Sequence, residues 1–157
     1  MIKIIAALLA SAVPATSQER HLWQEAGTFE PYSRTAQAIT GDMVLSGNPD
    51  FAAPGSKMTV SFASQKPIDL VSVGATWRKW DVGGDTLTAE TFELAKDPGT
   101  LLNGNTLCSG QAHYVVFTDP WGFNEQIVSI AVFSGKTPPA DIDSEGLCGT
   151  FNYYPPR

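Results

Sequence analysis

A chain of 157 residues suits a single domain, since a fold of that size buries about two-thirds of the surface its unfolded chain exposes. Only 17% of the residues are charged and the net charge is −6, which argues against nucleic acid and anionic membrane surfaces as partners. Fourteen glycines and eleven prolines favour a loop-rich β-protein over a helical one.

Residues 1–17 read as a signal peptide rather than as part of the fold. Lys3 supplies the positive start, Ile4–Val13 is an uncharged apolar run, and Val13-Pro14-Ala15 or Ala15-Thr16-Ser17 offers a small-x-small cleavage site. The run is shorter than the roughly 20 residues that span a bilayer, and no lipid-anchoring cysteine follows it. Residues 18–157 are then a single β domain, periplasmic or secreted and without a stable membrane anchor. Loss of Lys3 takes the charge from −6 to −7.

Glu19–Ala26 reads as a short helical turn carrying Leu22 and Trp23, stopped by Gly27 and Pro31. Ala36–Ser46 reads as a strand with Gly41 as a bulge, and Gly47–Gly55 as a loop. Lys57–Ala63 alternates, with Met58, Val60 and Phe62 on one face. Ile68–Ala75 follows with Ile68, Leu70 and Ser72 together, then a turn at Gly83-Gly84 and a strand over Thr86–Leu94. Leu101–Cys108 is counted as a strand, although its Asn103-Gly104 pair is a strong turn signal. His113–Thr118, Gln126–Phe133 and Leu147–Tyr154 complete the set, and Pro155-Pro156 ends the last.

Roughly seven or eight regularly spaced short strands without a long amphipathic helix predict an all-β fold. The expected form is a small antiparallel up-and-down β-barrel of lipocalin-like size, with a β-sandwich as the alternative. In the two most strand-like segments, His113, Val115 and Phe117 share one row and Tyr114, Val116 and Thr118 the other; Val128, Ile130 and Val132 oppose Ile127, Ser129, Ala131 and Phe133. All four rows are rich in apolar side chains, so the outer face of this hairpin needs a cover, expected from Leu22 and Trp23.

Cys108 and Cys148 are the only cysteines. In an oxidising compartment they form one intramolecular disulfide, whose 40-residue loop closure is worth about 4 kcal/mol on the chain-entropy argument. A metal or catalytic reading of the pair would need histidine partners, and only His21 and His113 exist. His113 reads as a half-buried strand residue.

No nucleophile elbow, SxxK, HExxH or phosphate-cradling glycine loop is present, so no catalytic residue is assigned and no enzyme or cofactor is expected. Asp141, Asp143 and Glu145 before Gly146 open like a calcium loop, but Asn152 stands where the bidentate glutamate belongs; an acidic surface turn is the reading, with no metal. The binding candidates are aromatic. Trp77 and Trp80 flank Arg78-Lys79, and Trp121 and Phe123 follow Asp119-Pro120 at a hairpin tip. These rings either form a contact surface or close the barrel ends. Counting Leu101–Cys108 as a strand puts the two clusters at opposite ends of the meander.

The segments LLNGNTLCSG (Leu101–Gly110), AVFSG (Ala131–Gly135) and LCGTFNYYP (Leu147–Pro155) resemble a group of small exported proteobacterial proteins of unassigned function. That resemblance implies export and the disulfide and carries no site. In length, export and disulfide the chain is also similar to the periplasmic lysozyme inhibitors. Their Ser-Gly-x-x-Tyr element is not matched, because Tyr114 follows Ser109-Gly110 one residue too late and Gly135-Lys136 reverses the lysine-glycine order. The expected function is an exported, non-enzymatic interaction module, an inhibitor of another protein being one form of it. The alternative is a carrier of a small apolar ligand in the barrel interior.

Overall fold

The computed structural model describes residues 20–157; the signal-peptide reading of 1–17 falls outside them. Among the described residues eight strands form one antiparallel sheet in which each pairs with its sequence neighbour. They are β1 (Gly27–Phe29), β2 (Met43–Ser46), β3 (Lys57–Phe62), β4 (Ile68–Lys79), β5 (Thr86–Leu94), β6 (Tyr114–Thr118), β7 (Val128–Phe133) and β8 (Leu147–Tyr153). A single up-and-down sheet replaces the two sheets of the sandwich alternative. The first and last strands meet just beyond β1, where Pro31 bridges Tyr153, Tyr32 N–H donates to Asn152 O at 2.7 Å, and Tyr154 N–H donates to Glu30 O at 2.8 Å.

The concave face is filled. Phe29, Met43, Phe62, Leu70, Phe92, Phe117, Ile130 and Tyr153 are all fully buried in one cluster, which also contains Met58, Val60 and Ile68 as the alternation predicts. Val115 and Phe117 of β6 and Val128, Ile130 and Val132 of β7 point into this core, while Tyr114, Val116, Ala131 and Phe133 point out of it. The row assignment of both strands is therefore correct.

The outward row has its own core, and its cover is not the one expected. Trp23 lies in the inner cluster, and Leu22 packs against that same cluster. Tyr114, Val116, Ala131 and Phe133 are instead covered by Trp80, Leu87, Ala89 and Ile142. The reason lies in β4, which is longer than Ile68–Ala75. Beyond Ser72 the register skips Val73, with Gly74 at φ 114°, and such a bulge bends and twists the strand. Past it, Thr76–Lys79 and Thr86–Ala89 pair only with each other, because β3–β4 pairing ends at Val71 and β5–β6 pairing starts at Glu90. This arm lies against the outer face, Trp80 meeting Phe133 edge to face at 6.4 Å. The β7–β8 connection crosses to it, with Ile142 N–H donating to Lys79 O at 2.9 Å and Lys79 Nζ paired with Asp143 at 2.7 Å.

Two predicted strands are turns. Ala36–Thr40 is a single π-helical turn closed by Gly41 N–H to Ala36 O at 2.8 Å, so strand structure begins only at Met43 and Gly41 is its cap rather than a bulge. Leu101–Cys108 contains no strand. Asn103 and Gly104 both take left-handed φ (56° and 74°), and Asn105 N–H closes on Leu102 O at 3.0 Å. The turn the dipeptide signals does form, but it docks on the π turn through the Asn103 and Asn105 amides, which donate to Ala38 O, instead of joining two strands. β1, too short to show alternation, restores the count to eight.

Cys108 and Cys148 are bonded, with Cα atoms 5.0 Å apart, tying the segment before β6 to β8. Cys148→Ser is expected to lower stability by about 2–5 kcal/mol in urea unfolding of oxidised protein. Tyr153 supplies a second check. Burial raises its phenol well above the usual value of 10.0, against the lowering effect of the Thr40 hydroxyl 2.6 Å away. A raised acid keeps its proton in the folded state while the unfolded chain ionises. The stability it supports is complete below pH 10 and is lost as pH rises beyond it, by up to about 1.4 kcal/mol per unit. Tyr153→Phe should flatten that alkaline limb of a stability–pH curve.

Candidate functional site

The four aromatic candidates do not converge. Trp80 is buried, its indole N–H donating to Thr76 Oγ1 at 3.0 Å, and it belongs to the outer core rather than to a binding surface. Trp77 stands on the arm opposite Thr88 and is 68% exposed. Trp121 and Phe123, 78% and 90% exposed, project from the β6–β7 turn. Losing Leu101–Cys108 as a strand and gaining β1 also changes the parity: the Trp77 hairpin joins β4 to β5 and the Trp121 hairpin joins β6 to β7, so both are even-to-odd connections. The parity argument for opposite ends fails for that reason, yet the arm still reaches Phe133 and the β7–β8 connection, at the end of β6 and β7 away from the Trp121 turn. What separates the two clusters is the bend at Val73–Gly74, which commits the arm to the outer face.

The Trp121 turn is exposed at its tip and held at its base. Trp121 bridges Gln126, Gly122 N–H donates to Glu125 O at 2.7 Å, and Ile127 N–H donates to Pro120 O at 3.0 Å. A side chain at Gly122 would press on Glu125 O and Ile127 Cγ2 at 3.2 Å, so the tight reversal favours glycine. Gln126 Nε2 ties back to Asp119 O at 2.9 Å. The Asp119 carboxylate in turn lies 3.1 Å from His21 Nδ1 and accepts Leu22 N–H at 3.2 Å, which anchors the turn to the N-terminal segment.

That segment is a 3-10 turn, Leu22–Gln24, started by the Gln24 side chain accepting His21 N–H at 2.9 Å. His21 stacks on Trp23 at 4.4 Å and meets Phe51 at 4.5 Å. Trp23 Nε1 donates to Glu90 Oε2 at 3.0 Å, while Glu90 Oε1 accepts Ser72 Oγ at 2.7 Å and Ala52 N–H at 3.2 Å. Glu90, fully buried, thus joins β4, β5, the β2–β3 loop and the N-terminal turn with hydrogen-bond donors alone. Sequence reading did not single out Glu90, His21 or Asp119 as partners. The His21–Asp119 contact spans 98 residues and has no local signal. Glu90 had one: it shares the inward parity of Phe92 and Leu94 in β5.

The calcium-like segment does not converge either. Asp141 Oδ1 accepts Asp143 N–H at 2.9 Å, Asp143 faces Lys79, and among the described residues no three His, Cys, Asp or Glu side chains are placed to share a metal. A groove of about 580 Å³ opens beside the disulfide, between Thr35 and Ile39 of the π turn, Thr106, and Thr150 of β8. Its lining has no carboxylate, imidazole or amine, so its own side chains cannot perform acid–base chemistry. No helix of the described residues is long and apolar enough to cross a membrane.

No known family, curated protein or solved structure matches the chain.

Glu90→Ala would leave the Trp23 indole, the Ser72 hydroxyl and the Ala52 amide without their shared acceptor. Of these, the Trp23 and Ser72 donors are buried, and each such orphaned donor costs about 1–3 kcal/mol. The variant is therefore expected to unfold at markedly lower urea, and Trp23 fluorescence should shift to the red as the N-terminal turn loosens.

Proposed function

We propose that this protein is an exported, non-enzymatic interaction module that docks on another protein through the Trp121–Phe123 tip, with inhibition of that partner as its mode of action. The sheet is read here as a small up-and-down barrel of lipocalin-like size, a reading supported by the bonds from Tyr32 and Ser33 to Asn152 and from Tyr154 to Glu30. Residues 1–17 act as the signal peptide that delivers it to the periplasm or the medium. The disulfide is compatible with that address.

One observation carries the docking role: two large aromatic rings stand almost wholly in water on a turn whose base is braced by Asp119, His21, Gln126 and Ile127. Rings packed as lids would be buried, as Trp80 is. Binding hot spots are enriched in such aromatics, and a pre-shaped loop loses little conformational entropy on insertion into a cleft. The packed phenylalanines of the inner core favour surface contact over carriage of a ligand inside.

Capture from a periplasmic extract, read by mass spectrometry, tests this. Trp121→Ala/Phe123→Ala should lose the captured partner with a melting temperature close to that of the parent, since exposed substitutions usually change stability by less than about 0.5 kcal/mol. Trp80→Ala should instead lower stability by about 3–5 kcal/mol. Retention of the partner by the double variant would overturn the tip as the docking element.

A further inference from the structure

The arm formed by β4 and β5 has a side that no described strand covers. Pairing of β3 with β4 ends at Val71, and the β2–β3 loop extends it only through Ser56 O and Gly55 N–H to Ser72. From there to Lys79, β4 is paired on the β5 side alone, and Thr76–Lys79 are exposed. The direction of its backbone groups can be read. Lys79 O accepts Ile142 N–H, so Lys79 turns its peptide groups away from β5. Antiparallel ladders alternate, and Trp77 and Ala75 therefore point theirs the same way. Arg78 Nη1 lies 3.2 Å from Trp77 O, as an outward carbonyl allows.

We infer that this edge pairs with the same edge of a second copy of the chain, extending the two arms into one continuous antiparallel sheet about a twofold axis. The register centred on Trp77 is self-complementary. Trp77 opposes Trp77 of the second copy, Ala75 opposes Lys79, and Thr76 opposes Arg78, so every outward N–H faces an outward carbonyl and no two like charges stand directly opposite. Trp77, exposed in the single chain, gains an aromatic cross-strand partner. The bonds that use Lys79 O share it with Ile142, and the bond to Trp77 O shares it with the Arg78 guanidinium or displaces that group. Arg78 and Lys79 are the charges that discourage indiscriminate strand addition at such an edge, and this register leaves Lys79 on Asp143. The contact is smaller than the roughly 1,200 Å² of a stable interface, so the dimer is reversible and concentration-dependent.

Sedimentation of the disulfide-bonded protein from micromolar to near-millimolar concentration reads this out. The weight-average mass should rise towards that of the dimer. Ala75→Pro removes an outward N–H that the β5 ladder does not use; it should weaken association about tenfold or more with the circular dichroism spectrum unchanged. Oxidised Trp77→Cys should give a symmetric disulfide between the two copies, because directly opposed hydrogen-bonded residues lie about 5.5 Å apart at Cα, within disulfide range. Thr76→Cys, which faces Arg78, should not cross-link to itself. A constant monomer mass for the parent protein would overturn the inference, as would undiminished dimer in Ala75→Pro or equal cross-linking by the two cysteine variants.

Discussion

The structure depends on one demand: β6 and β7 are apolar on both faces. A single sheet can bury one face against its own interior, and here that interior is filled by Phe62, Phe92, Phe117 and Tyr153. The other face, with Tyr114, Val116, Ala131 and Phe133, has to be shielded by something outside the sheet. The long β4–β5 hairpin answers that need. The bulge at Val73 bends it, Trp80 supplies the bulk of the shield, and Ile142 from the β7–β8 connection completes it. Placing Trp80 inward turns its neighbour Trp77 outward by the two-residue alternation of a strand, so one requirement accounts for both the buried and the exposed tryptophan.

A second arrangement holds the end of the sheet that carries the Trp121 turn. The N-terminal 3-10 turn inserts Trp23 into the inner core, where its indole meets Glu90, and His21 beside it reaches Asp119. Asp119 thus serves the turn at its base and the N-terminal segment at once. The tip is positioned by residues that lie nearly a hundred positions away in the chain. The Asp119 carboxylate holds the N-terminal segment, and its backbone carbonyl holds Gln126 at the base of the turn.

How much of this was legible follows from the range of each interaction. Alternation is local, so the faces of β3, β6 and β7 could be read, and two cysteines leave one simple pairing. Asn103-Gly104 announced a turn and delivered one; whether strands flank it depended on the π turn against which its amides dock, and nothing local encodes that. Thr76–Lys79 carry no apolar alternation, and all four are exposed, so their strand conformation has no local signal. The covering role was given to Trp23, although Trp80, far along the chain, fills it. Both are tryptophans next to polar neighbours, and only the tertiary arrangement separates them. Glu90 is readable by parity, since it shares the face of Phe92 and Leu94, but its partners Trp23, Ser72 and Ala52 lie on distant segments and have no local signal.

The disulfide also bears on what a protease could achieve. Among the large apolar residues described, Trp121 and Phe123 are the most exposed, and both stand on the turn between β6 and β7. A cut there falls inside the loop closed by Cys108 and Cys148. Both pieces would stay covalently joined, with β6 still paired to β5 and β7 still paired to β8. The chain can thus be nicked at its exposed aromatic turn without coming apart.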